Sequence, residues 1–417
     1  MTFLIAGAGP AGARLATALS EAGKEVVLVD RLTNPHRNSF SSAALSCAEA
    51  SRLNLPQSAW SATWSGWQLL DPSGHEHQWW DADPLGVVLD FGRLRSAMWS
   101  RARAAGAEVV SGCTVRIEAL HSDGAHVRLQ HGDGRCQHRS VKWVIDATGA
   151  SRCLLREASV PPPSTLDPLL EGVGVEWLIQ ADDRVASRWL DRISFFLGTR
   201  WIPHGYGWVF PMENNRLKVG VCCLAPVQIK GSRSDLLARL QSLLRNCKLE
   251  GCSVLDRHGG VVSSSIARRE SLGSGALLAV GDAASTANLL GGEGIRHAID
   301  SADLLAETLL NAEGLNQVGL NQVGLNQVGL NQVGADHADV VRQTYEKALH
   351  QWFGWRWRAA GKLAQRTWWG LDSSSADRRV ERIIRGLSRT SSARDLSNLL
   401  FHYRFERYGL RLLRYLI

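Results

Sequence analysis

The sequence predicts an α/β protein with a discontinuous Rossmann-like domain, an antiparallel-sheet domain and a C-terminal helical region. A short apolar strand, a glycine-rich turn and a helix open the chain. The stretch 161–263 is rich in strand-forming segments, and the pattern of strand, glycines and helix returns at 276–311. From residue 336 onward the composition is helical. The chain is therefore expected to leave its first domain and to return to it.

A chain of 417 residues is long for one hydrophobic core, so we expect more than one domain. Changes in composition set the predicted boundaries. The Rossmann-like domain is assigned to 1–59, 89–160 and 264–312, the antiparallel-sheet domain to 60–88 and 161–263, a pentapeptide-repeat loop to 313–334, and a basic, tryptophan-rich helical region to 335–417. Within the first domain, residues 31–58 are polar and are expected to be irregular.

The first motif lies at 7–12, between the apolar strand 3–6 and a helix expected over 11–22. Glycines in such a turn permit its tight bend, let the backbone approach a pyrophosphate and allow helix and strand to pack closely. The helix N-terminus then offers free N–H groups to phosphates. Asp30 ends the next strand, where a carboxylate accepts ribose hydroxyls. The motif predicts a dinucleotide site contributed by Gly7, Gly9, Pro10, Ala11, Gly12, Asp30 and Arg31.

The elements that follow are predicted from periodicity and turn residues. In order, we expect antiparallel strands within 60–88, a helix at 91–105, strands at 108–110 and 143–145 with hairpin strands between them, strands at 193–197, 207–211 and 217–224, a helix at 234–245, a strand at 276–280 and a helix from 294 to about 311.

Two further motifs follow apolar strands. Asp146-Ala147-Thr148-Gly149 comes directly after the strand 143–145, so Ala147, Thr148 and Gly149 bring bare backbone towards the dinucleotide. The alternative is an ordinary turn.

The third motif begins at Gly281-Asp282 and continues at 291–295. A carboxylate at Asp282 can bind the ribityl hydroxyls of FAD. Gly292, Gly294 and Ile295 let the next helix begin against the isoalloxazine ring, where its dipole stabilises negative charge. The three motifs together predict FAD, whereas the first alone does not distinguish FAD from NAD.

The order of these motifs resembles the flavoproteins that share the aromatic-hydroxylase fold. Within that class, the segment 204–211, His-Gly-Tyr-Gly-Trp-Val-Phe-Pro, resembles the Tyr-x-Trp-x-Phe-Pro segment of the geranylgeranyl reductase family. The Gly-Gly-Glu-Gly-Ile stretch at 291–295 is also close to that family's version of the third motif. The resemblance covers roughly residues 1–310 and is dense only at the motifs. It implies an FAD-dependent reductase of carbon–carbon double bonds in an isoprenoid.

The resemblance also implies substrate contacts. In the family the aromatic segment lines the channel beside the flavin, so Tyr206, Trp208 and Phe210 would face the isoprenoid. The alternative is that these rings pack the core of a sheet, as alternate aromatic residues on a strand often do.

The sequence identifies no proton donor, and Cys47 and Tyr206 are only weak catalytic candidates. The reductases often carry a Cys-Gly pair near the flavin, but Cys47 is followed by Ala48, which favours a lone buried thiol. Arg93 lies where the wider class often has an arginine near the FAD phosphates, with a surface salt bridge as the alternative.

The positive charge is concentrated at the C-terminus. Residues 335–417 hold 16 Lys/Arg against 8 Asp/Glu, a surplus that accounts for the whole-chain charge of +7. Arginine and tryptophan together suit a membrane interface, and Arg356, Arg358, Lys362 and Arg366 are the expected lipid contacts. The alternative is a helical cap that packs its aromatic rings on the rest of the protein. Nucleic acid is not expected as a partner.

Four copies of Gly-Leu-Asn-Gln-Val occupy 314–333. A period of five fits neither a helical face nor strand alternation, so we expect an expanded loop, with a small β-solenoid as the alternative.

The eight cysteines are scattered without a CxxC pair, which predicts reduced thiols in a cytoplasmic protein and no metal site. No P-loop, zinc spacing or Gly-x-Ser-x-Gly motif supports kinase or hydrolase chemistry. A second nucleotide fingerprint is also absent from the sequence. This absence does not exclude NADPH, because flavoproteins of this class can bind it transiently without a separate Rossmann domain, and NADPH or a reduced electron carrier is the expected donor.

Four functions stay open at this point. The first is the isoprenoid reductase. The second is an FAD-dependent monooxygenase that uses O₂, the third is a redox-neutral enzyme resembling lycopene cyclases, and the fourth is a flavin-binding protein without turnover. The segment 204–211 favours the isoprenoid reductase, and the Asp-Ala-Thr-Gly sequence at 146–149 favours the cyclase-like enzyme. The altered sequence around Cys47 keeps the flavin-binding protein without turnover open.

Overall fold

The computed structural model describes residues 2–37, 41–161, 170–224, 233–317, 337–406 and 408. The predicted repeat loop lies outside these residues from 318 onward, and only the backbone of 313–317 is described, as the end of a helix.

The described residues form the following strands in chain order: β1 Thr2–Ala6, β2 Glu25–Asp30, β3 Ala44–Ser46, β4 Trp60–Trp64, β5 Gly66–Leu70, β6 Glu76–Trp80, β7 Gly86–Leu89, β8 Glu108–Ser111, β9 Cys113–Leu120, β10 Ala125–His131, β11 Cys136–Val141, β12 Trp143–Asp146, β13 Leu170–Gln180, β14 Arg192–Leu197, β15 Gly205–Pro211, β16 Arg216–Cys223, β17 Ser253–Ser264, β18 Gly273–Ser274 and β19 Leu277–Ala279. The helices are α1 Pro10–Glu21, α2 Cys47–Arg52, α3 Phe91–Ala104, α4 Cys153–Glu157, α5 Asp183–Ala186, α6 Arg233–Asn246, α7 Ile295–Gln317, α8 His337–Ala364, α9 Ser374–Thr390 and α10 Ala393–Leu400.

A six-stranded sheet with the order β18-β19-β12-β1-β2-β8 forms the first layer. Its pairings are parallel except for the short edge pair β18–β19. Apolar residues of β1 and β2 such as Leu4, Ile5 and Val27 are buried almost completely, because helices cover the sheet. Strands separated by more than a hundred residues thus end at the same edge, which brings the three predicted motifs together.

Two three-stranded sheets complete the described strands, with the orders β11-β10-β9 and β3-β7-β4. The second corrects a sequence expectation, because residues 31–58 are not wholly irregular: they include β3 and α2. Strand β3 is held by antiparallel pairing with β7, and Ser46 caps α2 by accepting a hydrogen bond from the backbone N–H of Glu49.

A seven-stranded sheet with the order β17-β13-β16-β15-β14-β5-β6 forms the second layer. Its neighbours are antiparallel except for β14 and β5. Alternate side chains of β15 face opposite sides: Val209 packs in a cluster with α6, whereas Tyr206 and Trp208 pack in a cluster with the C-terminal helices. The domain boundaries stay a prediction; the segment 60–88 contributes β5 and β6 to this sheet and β4 and β7 to the smaller one.

The C-terminal helices cover the aromatic side of the seven-stranded sheet. Helix α8 breaks its helical geometry at Gly354, which has a φ of 59°. Trp357 and Trp368 are buried in the core, but Trp352 and Trp355 are each 54% exposed. The tail therefore packs part of its aromatic content and leaves part outside. In the part of the chain that the structure describes, no helix combines the length and the apolar character needed to cross a membrane.

Candidate active site

The positions of the first motif are glycines for different structural reasons. Gly7 has a φ of +107°, and a Cβ there would lie 2.2 Å from the carbonyl oxygen of Ala147. A Cβ on Gly12 would lie 1.9 Å from the carbonyl oxygen of Gly7. Gly9, in contrast, has a φ of −70°, and nothing lies within 4 Å of its Cβ position. The protein's own packing therefore requires Gly7 and Gly12, while the space beside Gly9 is free for a ligand.

The carboxylate of Asp30 holds the glycine turn. It accepts hydrogen bonds from the backbone N–H of Ala8 at 2.7 Å and of Leu32 at 2.8 Å. The indole of Trp99 on α3 donates to the carbonyl oxygen of Ala8 at 2.7 Å, a contact that the sequence did not reveal. The adjacent Arg31 is exposed. Asp30 thus connects the end of β2 to the turn, and its contact with the ribose hydroxyls stays a prediction.

The second motif is organised by Asp146, which is fully buried. Its carboxylate accepts hydrogen bonds from the backbone and hydroxyl of Thr148 and from the first turn of α4. Ala147 contacts the first glycine turn through its carbonyl oxygen, and Gly149 has a φ of +71°. The structure therefore brings Ala147, Thr148 and Gly149 beside the first motif, with the Thr148 hydroxyl already engaged.

The third motif presents an unpaired carboxyl group. Within the described residues we find no hydrogen-bond donor to the side chain of Asp282, and desolvation raises its pKa to about 7. One of its oxygens lies 3.6 Å from the Cβ position of Gly294, at the start of α7. The backbone of Gly281 is held by its N–H, which donates to the hydroxyl of Ser301. A side chain is excluded there, because a Cβ would lie 2.7 Å from that of Ala11.

The predicted phosphate arginine has other partners. Arg93 pairs with Glu213 and lies near Asp90, and its side chain is 41% exposed. Two residues on, Arg95 is buried and donates to the carbonyl oxygens of Pro35, at 2.6 Å, and Arg37. The role of Arg93 at the phosphates stays a prediction.

These residues fit an FAD molecule. The open space beside Gly9 adjoins the N-terminus of α1, where free N–H groups favour phosphate. The unpartnered Asp282 carboxyl requires hydrogen-bond donors of the kind that a ribityl chain supplies. Gly7, Gly9, Pro10, Ala11, Gly12, Asp30, Asp282, Gly292, Gly294 and Ile295 would hold the cofactor.

Two adjoining cavities lie between the start of α7, the seven-stranded sheet and the C-terminal helices. The first encloses about 160 Å³ and is lined by 41–45, 291–295 and residues of β13 to β17. The second encloses about 340 Å³ beneath α9 and α10 and is largely apolar. They share Phe195, Tyr206, Gly291 and Phe401 as a common wall. The apolar second cavity therefore lies directly beside the cavity at the start of α7.

The three predicted substrate residues line the first cavity together. Tyr206, Trp208 and Phe210 are each less than 10% exposed, so they also belong to the sheet core. The Tyr206 hydroxyl lies 2.1 Å from the Cβ position of Gly292, whose φ is +67°. Burial raises the pKa of Tyr206 well above its ordinary value. Tyr206 therefore connects the aromatic segment to the third motif.

Cys47, the other catalytic candidate, lies at the start of α2 and lines neither cavity. Burial raises its pKa, which favours the protonated thiol. Its catalytic role stays a prediction that these contacts do not favour.

A polar group in the first cavity was not foreseen. Glu176 on β13 is buried, and its carboxylate contacts Ser42, Trp208 and His258. The nearby Lys218 is also buried. A buried glutamate and a buried lysine on neighbouring strands are unusual. The sequence does not reveal that they are neighbours, because they are far apart along the chain and the register between β13 and β16 is not known from sequence.

Comparisons with known proteins agree with this geometry. Residues 1–47 match the family model described as an FAD binding domain. Digeranylgeranylglycerophospholipid reductase 2 of Methanopyrus kandleri is 28% identical over 321 residues, covering 74% of this chain and 76% of that protein. Reductase 1 of the same organism is 29% identical over 318 residues, covering 74% and 80%. A geranylgeranyl bacteriochlorophyll reductase-like structure from Thermoplasma acidophilum has a TM-score of 0.78 at 20% identity, covering 100% of this chain and 98% of that one.

The fold and the three-part nucleotide site define an FAD-dependent oxidoreductase. Within that class, the chain is similar to digeranylgeranylglycerophospholipid reductases over 74% of its length, and it shares the fold of the geranylgeranyl bacteriochlorophyll reductase-like structure.

Proposed function

We propose that this enzyme reduces carbon–carbon double bonds in the isoprenoid chain of a lipid. The observation that carries the proposal is the pair of adjoining cavities: an apolar one beneath α9 and α10, and one at the glycine-rich start of α7. The names of the relatives, digeranylgeranylglycerophospholipid reductases, support an isoprenoid lipid as substrate. When bound and reduced, FAD supplies the two electrons and one of the two protons that each double bond consumes.

The side chains around the cavities bind and orient the chain and exclude water. The second cavity is lined by apolar residues of four helical segments and the sheet, so burial of the isoprenoid supplies the binding free energy. Phe195, Tyr206 and Phe401 line both cavities and stand between them. The chain would pass between these side chains and place a double bond beside Gly292.

The test of this proposal is a single anaerobic turnover. The purified protein is photoreduced without oxygen and mixed with digeranylgeranylglycerophospholipid, and the return of the oxidised flavin absorbance is followed. Reoxidation in proportion to added lipid supports the reductase. Reoxidation only after O₂ is admitted, with a hydroxylated product, would establish a monooxygenase, and conversion with the flavin still reduced would establish a cyclase. Binding without conversion under any condition would indicate a flavin-binding protein.

The electron donor is part of the same proposal. We infer that NADPH, bound transiently, or a reduced electron-carrier protein reduces the flavin, because the sequence carries one nucleotide fingerprint, at 7–12, which is assigned to FAD. Anaerobic mixing of the oxidised protein with NADPH tests the first donor. Bleaching of the flavin absorbance supports NADPH as the donor. If the flavin stays oxidised for much longer than one catalytic turnover takes, the electron donor is assigned to a carrier protein.

We further propose that the protein contacts an anionic membrane surface through α9. The apolar side of this helix, including Val380, Ile384 and Leu387, covers the second cavity. The opposite side carries the exposed Arg378, Arg385 and Arg389, and the exposed Arg382 also borders the cavity. Within the residues that the structure describes, none of these four arginines pairs with a carboxylate. An amphipathic helix with this distribution suits a lipid surface, from which the substrate would enter the cavity.

Vesicle flotation tests this contact. Each arginine near an anionic surface contributes about 1 kcal/mol, so replacing the four α9 arginines by Gln should release the protein from phosphatidylglycerol vesicles. The matched control replaces Arg356, Arg358, Lys362 and Arg366 on and after α8, where Arg356 already pairs with Glu406. Loss of binding in the control alone would transfer the contact to α8. Equal binding of both variants, insensitive to salt, would contradict an electrostatic contact.

A further inference from the structure

A chain of polar side chains crosses from the protein surface to the first cavity. Asp256 on β17 is exposed, and its carboxylate lies 3.1 Å from Nδ1 of His258. Nε2 of His258 lies 2.9 Å from one carboxylate oxygen of Glu176. The other oxygen of Glu176 accepts a hydrogen bond from the Ser42 hydroxyl at 2.5 Å. His258 and Glu176 are almost completely buried as side chains, so the chain passes through the protein interior.

Strand pairing explains how this chain meets the cavity. Glu176 on β13 and His258 on β17 are a cross-strand pair, and they therefore lie side by side on one face of the sheet. On the same face, the next alternate positions of β13 are Gly174 and Gly172. These glycines line the first cavity, and Ser42, Glu176 and His258 contribute polar groups to the same lining.

The other contacts hold the pair in place. Trp208 donates its indole N–H to Glu176 at 2.7 Å. Lys218 donates to the carbonyl oxygens of Ser41 and Ser42, at 2.7 and 3.2 Å, and to that of Leu89. The Lys218 ammonium thereby fixes the segment that carries the Ser42 hydroxyl and adds positive charge near Glu176.

The electrostatics favour one shared proton on the pair. Burial alone would lower the pKa of His258, but its hydrogen bonds with Glu176 and Asp256 raise it above the ordinary value. Burial alone would raise the pKa of Glu176, but the hydrogen bond from His258 and the charge of Lys218 hold it below the ordinary value. Within the pair, the proton is therefore favoured on the imidazole, next to a carboxylate that lines the cavity.

We propose that Glu176 and His258 supply the second proton of double-bond reduction, and that Asp256 replenishes it from solvent. This inference rests on the proposed function. Saturation of one double bond consumes two electrons and two protons, and the reduced cofactor leaves one proton unaccounted for. The proton on His258 moves to Glu176, and Glu176 gives it to the reacting carbon as the new C–H bond forms. His258, left neutral, takes its next proton from solvent through Asp256. Glu176 is the catalytic residue, His258 and Asp256 act through it, and Ser42 and Lys218 position it.

The experiment measures the rate at which isoprenoid lipid reoxidises the photoreduced protein without oxygen, across pH. Wild-type protein is measured first, so that a failure of the proposed function is recognised before any variant is compared. The expected wild-type rate is constant at low pH and falls as pH rises through the raised pKa of His258, because the shared proton is then lost.

Three variants test the path. Glu176→Gln and His258→Gln should lower the rate by about 10²–10⁴-fold with little change in KM, and the decline at high pH should disappear. Asp256→Asn should keep most of the rate but shift the decline to lower pH, because a carboxylate that raises the pKa of His258 is gone. Imidazole added to His258→Ala should restore part of the rate, which a purely structural role would not allow.

The matched control is His138→Gln, because His138 also pairs with a carboxylate, Glu118, at 2.8 Å, but on the exposed sheet of β9 and β11. It should retain the wild-type rate and pH profile. FAD content and thermal midpoint are recorded for every variant. An active wild type with a rate independent of pH would overturn the proposal even if a variant failed to fold. Unchanged rates in folded Glu176→Gln and His258→Gln proteins would also overturn it.

Discussion

At the scale of single residues, the nucleotide motif separates glycines that the fold needs from a glycine that the ligand needs. Gly7 and Gly12 have no room for a side chain, because the carbonyl oxygens of Ala147 and Gly7 occupy it. Gly9 has ordinary backbone geometry and free space. Its lack of a side chain therefore serves the approach of a pyrophosphate rather than the packing of the protein.

Gly9→Ala should leave folding unchanged and weaken FAD binding by at least about tenfold, or about 1.4 kcal/mol. Gly12→Ala should instead destabilise the fold by about 1–3 kcal/mol, because the added methyl overlaps a backbone oxygen. Thermal midpoints of the apoproteins and titration with FAD measure the two effects. Gly251→Ala, in a turn where a Cβ also meets nothing within 4 Å, is the control and should change neither. Equal destabilisation by Gly9→Ala and Gly12→Ala would contradict this division.

Asp282 should make FAD binding depend on pH. Desolvation raises its pKa to about 7 in the protein without FAD, and hydroxyl donors of the cofactor would favour the carboxylate. Binding then releases a proton, so the Kd for FAD should rise by about tenfold for each pH unit below 7. The Asp282→Asn variant should bind more weakly and lose this pH dependence. A Kd that is equally pH-dependent in Asp282→Asn would assign the effect to another group.

The same linkage acts on the stability of the apoprotein. A carboxyl whose folded pKa of about 7 exceeds its unfolded value stabilises the folded state only while it is protonated. Its contribution is present at acid pH and is lost as pH rises from the unfolded pKa to about 7. The Asp282→Asn apoprotein should therefore be the more stable of the two above pH 7, as measured by denaturant unfolding. A less stable variant there would contradict a desolvated carboxylate.

At the scale of elements, the pairing of β15, β16 and β13 brings the indole of Trp208 into hydrogen-bond contact with the carboxylate of Glu176. Trp208 on β15 pairs with Gly220 on β16, which in turn pairs with Glu176 on β13. A Cβ on Gly220 would lie 2.1 Å from the indole ring. The glycine therefore lets the indole cross the middle strand and reach the carboxylate.

Gly220→Ala should displace the Trp208 ring and break its hydrogen bond with Glu176. We expect a loss of about 1–3 kcal/mol in the free energy of unfolding from the overpacked site. We also expect slower reoxidation by lipid, because Glu176 loses a positioning contact. Denaturant unfolding and the anaerobic assay measure these effects. Gly251→Ala, which meets nothing within 4 Å, is the control. A variant with unaltered stability and rate would show that the indole has no positioning role.

Elements with strong periodicity were predictable, and elements held by tertiary pairing were not. The sequence predicted α3, α6 and the strands β15 and β16 close to their observed positions. It missed β3 and α2, because a three-residue strand has no periodicity and depends on its partner β7. The Glu176–His258 pair was missed for a related reason: its members are 82 residues apart and meet only through the register of β13 and β17.

At the scale of the whole molecule, two layers and a helical cover create a compartment that no single part contains. The parallel sheet carries the three nucleotide motifs, the antiparallel sheet carries the aromatic residues and the Glu176–His258 pair, and α8 to α10 close the apolar side. The resemblance of short motifs was enough to predict the cofactor and the class. The cavity beneath α9 was not predictable, because the helix is distant in sequence and its apolar stripe does not reveal what it covers.

Leu387→Trp should shorten the second cavity. Leu387 lies on the side of α9 that lines it, so a larger ring there occupies space needed by the far end of a long chain. The rate with a geranylgeranyl lipid should fall by about tenfold, a cost of about 1.4 kcal/mol, while a geranyl analogue keeps its rate. The control is Leu237→Trp on α6, where the residue is 41% exposed. Equal loss with both chain lengths would place the chain elsewhere.

The mass of the lipid after one anaerobic turnover tests the central claim most directly. Photoreduced protein is mixed with digeranylgeranylglycerophospholipid in the absence of oxygen. The mass of the recovered lipid is measured by mass spectrometry, and the amount of reduced lipid is compared with the amount of flavin reoxidised. The account predicts that the lipid gains two hydrogens for each flavin reoxidised. A lipid of unchanged mass beside flavin that stays reduced, or a lipid that gains oxygen once O₂ is admitted, would contradict it.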